Sequence, residues 1–287
     1  MSMSQAGILA DVPSLSRYLE FNLLPDTDPA PVLRDLASRK LGSDMVIGFG
    51  SGLVSTLKGS VPGVRAFPAM SGPGVEVPST QADIWCWIRG ADRGEINYMG
   101  RAITAQLSPA FRRSRLVDGF KYDISRDLSG YEDGTENPEG DDAIAAAIGA
   151  DGSSFVAVQK WIHDLDHFQG LPQDDQDNII GRHVSDNEEF DEAPESAHVK
   201  RTAQESFDPE AFVVRRSMPW SDETGEGLVF VAFGKSFDAF EAQLRRMTGL
   251  EDGITDGLFR FTRPVSGSYF WCPPVDGDTL DLSALGL

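Results

Sequence analysis

Phe155-Val156-Ala157-Val158-Gln159-Lys160-Trp161-Ile162 alternates along its length, with Phe155, Ala157, Gln159 and Trp161 on one side, and reads as a β-strand. The elements C-terminal to it decide the fold. A helical region runs between His163 and Gly181, and strands cover Phe212–Met218 and Leu228–Phe233. A helix over Phe237–Met247 carries Phe237, Phe240, Leu244 and Met247 on one face, and Ser268–Cys272 closes the set as a strand. The same β-α-β-β-α-β order describes the first half. There, strands over Tyr18–Leu24, Met45–Phe49, Asp83–Arg89 and Leu116–Tyr122 interleave with helices over Asp28–Lys40 and Arg93–Leu107. Two such units predict an α+β fold of tandem ferredoxin-like modules with antiparallel sheets. The Gly- and Asp-rich stretch Gly149–Ser153 marks the join, so the modules are expected over residues 1–150 and 151–287.

The chain has 287 residues, 25 Lys+Arg against 45 Asp+Glu, and a net charge of −20. Its 40% hydrophobic content suits a globular chain that buries a core. A surface this acidic repels phosphates, which excludes generic nucleic-acid binding and disfavours anionic membranes. No apolar run reaches the roughly 18 residues of a membrane-spanning helix. Met1-Ser2-Met3-Ser4-Gln5-Ala6-Gly7 lacks the basic start and apolar run of a secretory leader. Cys86 and Cys272 both lie in apolar aromatic settings and read as buried thiols of a reducing compartment, which makes the expected location cytoplasmic.

Several stretches invite chemical readings. Ile47-Gly48-Phe49-Gly50-Ser51-Gly52 follows a strand but lacks the dinucleotide spacing and the later ribose-binding acid. No nucleophile elbow of the Gly-x-Ser-x-Gly kind occurs. His163 and His167, four apart and beside Asp164 and Asp166, would share a helix face and offer a non-haem metal site, or else simply cap and pack a helix start. Val184–Ala197 is a long loop with six acidic residues, either a solvated loop or a place where a site is built. His198 ends it. Arg215 lies in an otherwise apolar strand, where its charge requires an anion, either a core carboxylate or a ligand. Asp133 sits in Gly130-Tyr131-Glu132-Asp133-Gly134-Thr135-Glu136-Asn137-Pro138, which is a tight turn and also a backbone permissive enough to bring a carboxylate against a bulky ligand.

Gly130-x-x-Asp133-Gly134, then His198 in Ser196-Ala197-His198-Val199 and Arg215 in Val214-Arg215-Arg216-Ser217-Met218-Pro219, resemble the dye-decolorizing peroxidase family of haem proteins, its compact bacterial B-type branch above all. The likeness extends to Trp161-Ile162-His163-Asp164-Leu165, Ile180-Gly181-Arg182 and Arg263-Pro264-Val265-Ser266-Gly267, so it covers nearly the whole chain. It implies two ferredoxin-like modules with haem b (iron protoporphyrin IX) held mainly by the second.

By that resemblance His198 is the proximal ligand of the haem iron, with Asp256 as acceptor for its other ring nitrogen. Asp133 and Arg215 are the distal acid–base group and the charge that steadies the leaving oxygen of hydrogen peroxide. An oxyferryl intermediate would then be reduced by small-molecule donors such as dyes and phenols. Arg182 is expected to pair with a haem propionate, and the backbone of Gly134 and Thr135 to edge the haem. Ser217 departs from the Asn found at that place in part of the branch. Tyr131, beside Asp133, is a candidate relay for electrons from bulky donors. The rival readings are a haem carrier or sensor, a chlorite dismutase-like enzyme, and a non-haem metalloenzyme built on His163 and His167. The end of the chain, Asp281–Leu287, shows no evident tail for docking in a protein shell, and the acidic surface leaves a symmetric dimer open.

Overall fold

Strands buried on both faces form the centre of this molecule. The computed structural model describes residues 3–287, and the first two residues of the stretch read for a leader lie outside the described residues. The first half runs β1 (Leu15–Leu23), α1 (Ala30–Ala37), β2 (Met45–Phe49), α2 (Ser51–Thr56), a small hairpin of β3 (Met70–Gly72) and β4 (Val75–Val77), β5 (Ile84–Gly90), α3 (Arg93–Leu107), β6 (Phe111–Phe120) and α4 (Gly140–Ala147). The second half runs β7 (Ser154–His163), α5 (Leu165–Gln169), α6 (Gln173–Ile180), α7 (His198–Arg201), β8 (Val214–Arg215), β9 (Met218–Asp222), β10 (Gly225–Gly234) and α8 (Asp238–Met247). It ends with β11 (Thr262–Pro264), β12 (Ser268–Cys272) and a hairpin of β13 (Val275–Asp276) and β14 (Thr279–Leu280).

Ten strands form one antiparallel sheet in the order β6-β1-β5-β2-β12-β7-β10-β8, with β11 added to β7 and β9 to β10. Within each half the four main strands stand fourth, first, third, second, the expected ferredoxin-like order repeated. A single residue pair, Trp271 with Phe49, joins the halves across β12 and β2. Period-two alternation sends Leu19, Phe21, Ile47, Cys86, Ile88 and Tyr269 to one face. There they meet Leu33 and Leu36 of α1, Ile96 and Ile103 of α3, and Phe240 and Leu244 of α8. The opposite face buries Tyr18, Trp85, Trp87, Phe233 and Phe270 under the alanines of α4. Trp85 and Phe270 stack with ring centroids 6.1 Å apart, and the Trp87 indole donates to Ser16 Oγ at 2.8 Å. Each such aromatic contributes about 1.5–3 kcal/mol by leaving water. Cys86 and Cys272 are free and buried, as expected, and burial pushes the Cys86 thiol up to about 12.

Four elements differ most from their sequence reading. α1 is shorter than Asp28–Lys40, because Pro29 and Pro31 confine its start and its buried residues, Leu33 and Leu36, need only two turns. The closing strand of the first half is Phe111–Phe120, not Leu116–Tyr122; its exposed residues Arg112 to Ser114 hid the alternation. The strand read over Phe212–Met218 is two, β8 and β9. Between them Ser217 Oγ accepts the Val231 N–H at 3.4 Å in place of a backbone carbonyl. His163 is the last residue of β7, so the helical region begins only at Leu165 and divides into α5 and α6.

Candidate active site

His198 opens α7, directly after the acidic loop. Its Nδ1 lies 2.8 Å from Oδ2 of Asp256, whose side chain is fully buried. Asp256 is fixed from three sides. Its N–H donates to the Met247 carbonyl, its Oδ1 accepts the Leu258 N–H at 2.8 Å, and the next residue, Gly257, donates its N–H to Ser196 O at 2.7 Å. The last bond ties the aspartate turn to the segment that presents the histidine. With Nδ1 engaged, Nε2 is the nitrogen left for a ligand.

Arg201, one turn further along α7, adds a clamp. Its guanidinium makes a fork with Asp252 at 2.7 and 2.8 Å and donates to the Arg246 carbonyl, binding α7 to the turn that leads to Asp256. The Arg201 hydrogen bonds, with the Ile254 N–H, hold the Asp252 carboxyl down at about 2. A folded-state value below the ordinary one gives stability that is complete above about pH 4 and is lost as pH falls toward the depressed value. Asp252→Asn is therefore expected to lower stability at neutral pH and flatten the acid limb of a urea-denaturation series. An acid limb as steep as wild type would count against the clamp.

Asp133 and Arg215 come from elements far apart in sequence. Residues 125–133 fold back on themselves, with the Asp133 N–H donating to Ser125 O and Arg126 holding the Gly130 carbonyl and the Glu132 carboxylate. Gly134 follows at φ +79°, a left-handed conformation that a side chain would strain. On β8, alternation turns Val214 into the aromatic core and Arg215 to the helix-covered side. Asn137 fastens the two segments, accepting the Arg215 N–H at 2.7 Å and donating to its carbonyl at 3.1 Å. Arg215 Nη1 then stands 3.8 Å from Asp133 Oδ1, and Arg215 Nε is buried without a partner.

Both groups and His198 line one cavity between the second-half sheet and α8, with a volume of about 120 Å³. Leu228, Phe230, Phe240, Leu244, Met247 and Phe261 give it apolar walls. It continues into a cleft lined by Gly134, Thr135, Arg182 and again His198. The haem implied by the resemblance fits these residues. Apolar walls suit a macrocycle and an anchored imidazole suits iron. Three buried donors on the lining, Gln159 Nε2, Trp161 Nε1 and Arg215 Nε, have no protein acceptor, as expected of a pocket that takes an oxygen-bearing guest.

Other sequence candidates fall differently. Arg182, set by Gly181 at the end of α6, where a Cβ would collide with Val199, lines the cleft. Its guanidinium is held by Glu136 at 3.0 Å and by Glu189, so a propionate would have to displace carboxylates already there. The metal pair at His163 and His167 does not form. His163 ends a strand and bonds Thr262 Oγ1 at 2.6 Å and Asp127 at 3.1 Å, whereas His167 is exposed on α5. Burial alone would raise the Asp127 carboxyl, but the hydrogen bond and charge of His163 outweigh it and hold the group low. No group of three metal-ligating side chains occurs among the described residues. Ser217 faces an open cleft on the far side of Asp133 and Arg215 and does not line the cavity with His198. Asn137, Arg201 and Asp252 were not singled out from sequence. Only the Asn-Pro turn hinted at the first.

Comparison with known proteins places this geometry in company. The family described as "Dyp-type peroxidase, C-terminal" matches residues 124–277. A dye-decolorizing peroxidase of Rhodococcus erythropolis is 30% identical over 283 residues, covering 94% of this chain and 79% of that protein. One from Mycolicibacterium paratuberculosis is 32% identical across 74% of this chain, and the match spans 64% of that relative's length. DyPB from Rhodococcus jostii RHA1 superposes with a TM-score of 0.86 at 29% identity, covering 94% of this chain and 95% of its own. A variant of that protein, also at 0.86 and 28% identity, over 94% of this chain and 96% of its own, was solved in complex with heme. No helix among the described residues is long and apolar enough to cross a membrane.

Proposed function

The chain belongs to the Dyp-type peroxidase family, and from that premise we propose that His198 ligates haem iron while Asp133 and Arg215 handle hydrogen peroxide across the cavity. It is a haem peroxidase acting on dyes. Bound haem supplies two-electron reduction of peroxide and one-electron oxidation of donors, which we take to include phenols.

Each residue has a defined task. Asp256 accepts the Nδ1–H of His198, which fixes the tautomer and makes the ligating nitrogen more basic. Asp133 takes the proton from one peroxide oxygen and returns it to the other. Arg215 sets positive charge where the departing oxygen becomes anionic. Gly134 and Thr135 edge the macrocycle, and Arg182 exchanges Glu136 or Glu189 for a propionate. The observation that carries the reading is that His198, backed by the buried Asp256, lines one apolar cavity together with the Asp133–Arg215 pair. A haem carrier or sensor has no use for the second pair.

The division into modules 1–150 and 151–287 is supported by the tight turn between α4 and β7, where Gly149 donates its N–H to Ser153 O at 2.8 Å. A cytoplasmic location accords with two buried free thiols.

The test is a visible spectrum of the purified, haem-supplemented protein. A Soret band that shifts on adding peroxide is expected, and its absence would end the proposal. Asp256→Asn should bind haem about 10–100-fold more weakly, since it loses the anion behind the ligand. Unchanged affinity in a haem titration would remove Asp256 from the site.

A further inference from the structure

We propose that Tyr131 is a redox-active residue of this peroxidase, giving one electron to the peroxide-oxidised cofactor and its phenolic proton to Asp177, with small phenolic donors delivering electrons at the His183 surface. This rests on the haem cavity proposed above. Tyr131 lines that cavity beside Asp133 and is only 3% exposed. Its hydroxyl donates to Asp177 Oδ1, and Gln173 Nε2 donates to both groups, at 3.2 Å to the phenol and 2.8 Å to the carboxylate. On the other oxygen of Asp177, His183 Nδ1 stands at 3.2 Å. The His183 ring is half-exposed and rests edge-on against Phe190. Cavity, phenol, carboxylate, imidazole and solvent are thus joined in sequence.

Packing alone does not explain the arrangement. Tyr18 and Tyr269 are also buried, but their hydroxyls have no partner, and the buried indole of Trp161 on the same cavity has no acceptor. Neither a phenol nor an indole loses an electron readily in an apolar interior while keeping its proton, because the product is a buried cation. Of these side chains, Tyr131 alone is hydrogen-bonded to a base. Burial, then the bond and charge of Asp177, push the Tyr131 phenol well above its usual range, so it stays protonated until oxidised. Burial would also raise Asp177, but hydrogen bonds from Tyr131, Gln173 and His183 prevail and keep it ionised and able to accept.

The step balances. Tyr131 loses one electron to the cofactor and one proton to Asp177, leaving a neutral phenoxyl. A donor phenol at the surface then gives one electron back. Asp177 returns the proton to Tyr131 Oη, and the donor's own proton passes to His183 or water. Two such cycles use both oxidising equivalents of one hydrogen peroxide, and two protons taken from solvent, equal to the two that the donors lose, complete its two waters.

The experiment uses the haem-loaded full chain. Wild type, Tyr131→Phe and Asp177→Asn are mixed with one equivalent of peroxide without donor, freeze-quenched, and examined by electron paramagnetic resonance. The absorption spectrum before mixing reports haem binding, so a protein without a Soret band indicts the cavity assignment rather than the tyrosine. A tyrosyl signal is expected in wild type, lost in Tyr131→Phe and weakened in Asp177→Asn. Stopped-flow rates of the first peroxide reaction show whether the Asp133 loop has moved. The proposal is overturned by a wild type without the signal, by a signal surviving in Tyr131→Phe, or by a peroxide step that slows in proportion to the radical lost.

Discussion

Replacing His198 with alanine is expected to strip the protein of tightly held haem while leaving its fold in place. Of the two histidines on the cavity wall, His198 keeps Nε2 for a ligand whereas His163 engages Thr262 and Asp127 with its two ring nitrogens, and the apolar contacts that remain do not fix an iron. The substitution also leaves the Asp256 carboxylate buried without its ring partner, which costs about 1–3 kcal/mol or more for a charged group. His198→Ala combined with Asp256→Asn should therefore recover part of the lost stability without recovering haem. Thermal unfolding and a haem titration of the two variants separate the effects. A wild-type spectrum in His198→Ala would sink the assignment and direct attention to His163, the other histidine lining the cavity.

Arg215→Leu should slow the first reaction with hydrogen peroxide by about 10²–10³-fold, the range for removing a donor aimed at developing negative charge. Arg215 has an unpartnered buried Nε and a backbone pinned by Asn137, so its guanidinium is held ready before peroxide arrives. Asp133→Asn removes a proton carrier, an effect spanning about 10²–10⁴-fold in general, but water entering the open cleft beside Asp133 can carry part of that load. The arginine variant is accordingly expected to be the slower at neutral pH. Stopped-flow absorbance with excess peroxide ranks them, and a greater loss in Asp133→Asn would invert the roles.

Much of this was legible in the residues. β2, α3 and β12 occupy the spans read from the sequence, because β2 and β12 are short runs buried on both faces and α3 keeps a clean helical face. The second-half strands showed Arg215 as a charge in apolar company, and the loop ending at His198 was visible as an aperiodic acidic run. What stayed hidden was set by contacts distant in sequence. No local pattern tells that Asn137 reaches the backbone of Arg215, or that Arg201 locks onto Asp252. The His163 and His167 spacing misled because it assumed a helix where β7 still runs. A helix that starts two residues later, at Leu165, turned a shared face into one buried strand end and one exposed helical side chain.

The repeated strand order has a consequence in symmetry. The second strand of the first half meets the fourth strand of the second half, a head-to-tail contact of the kind that propagates into a filament unless rotation closes it. Here it closes after two units. At the far edges β6 comes back against β9, where a side chain on Gly119 would start 3.3 Å from the Pro219 carbonyl oxygen, and Ser16 Oγ donates to Met218 Sδ at 2.9 Å. One polypeptide therefore behaves as a pseudo-cyclic pair sealed by its own linker. Each outer edge shields the other from templating a foreign strand, so that any self-association is left to helices and loops.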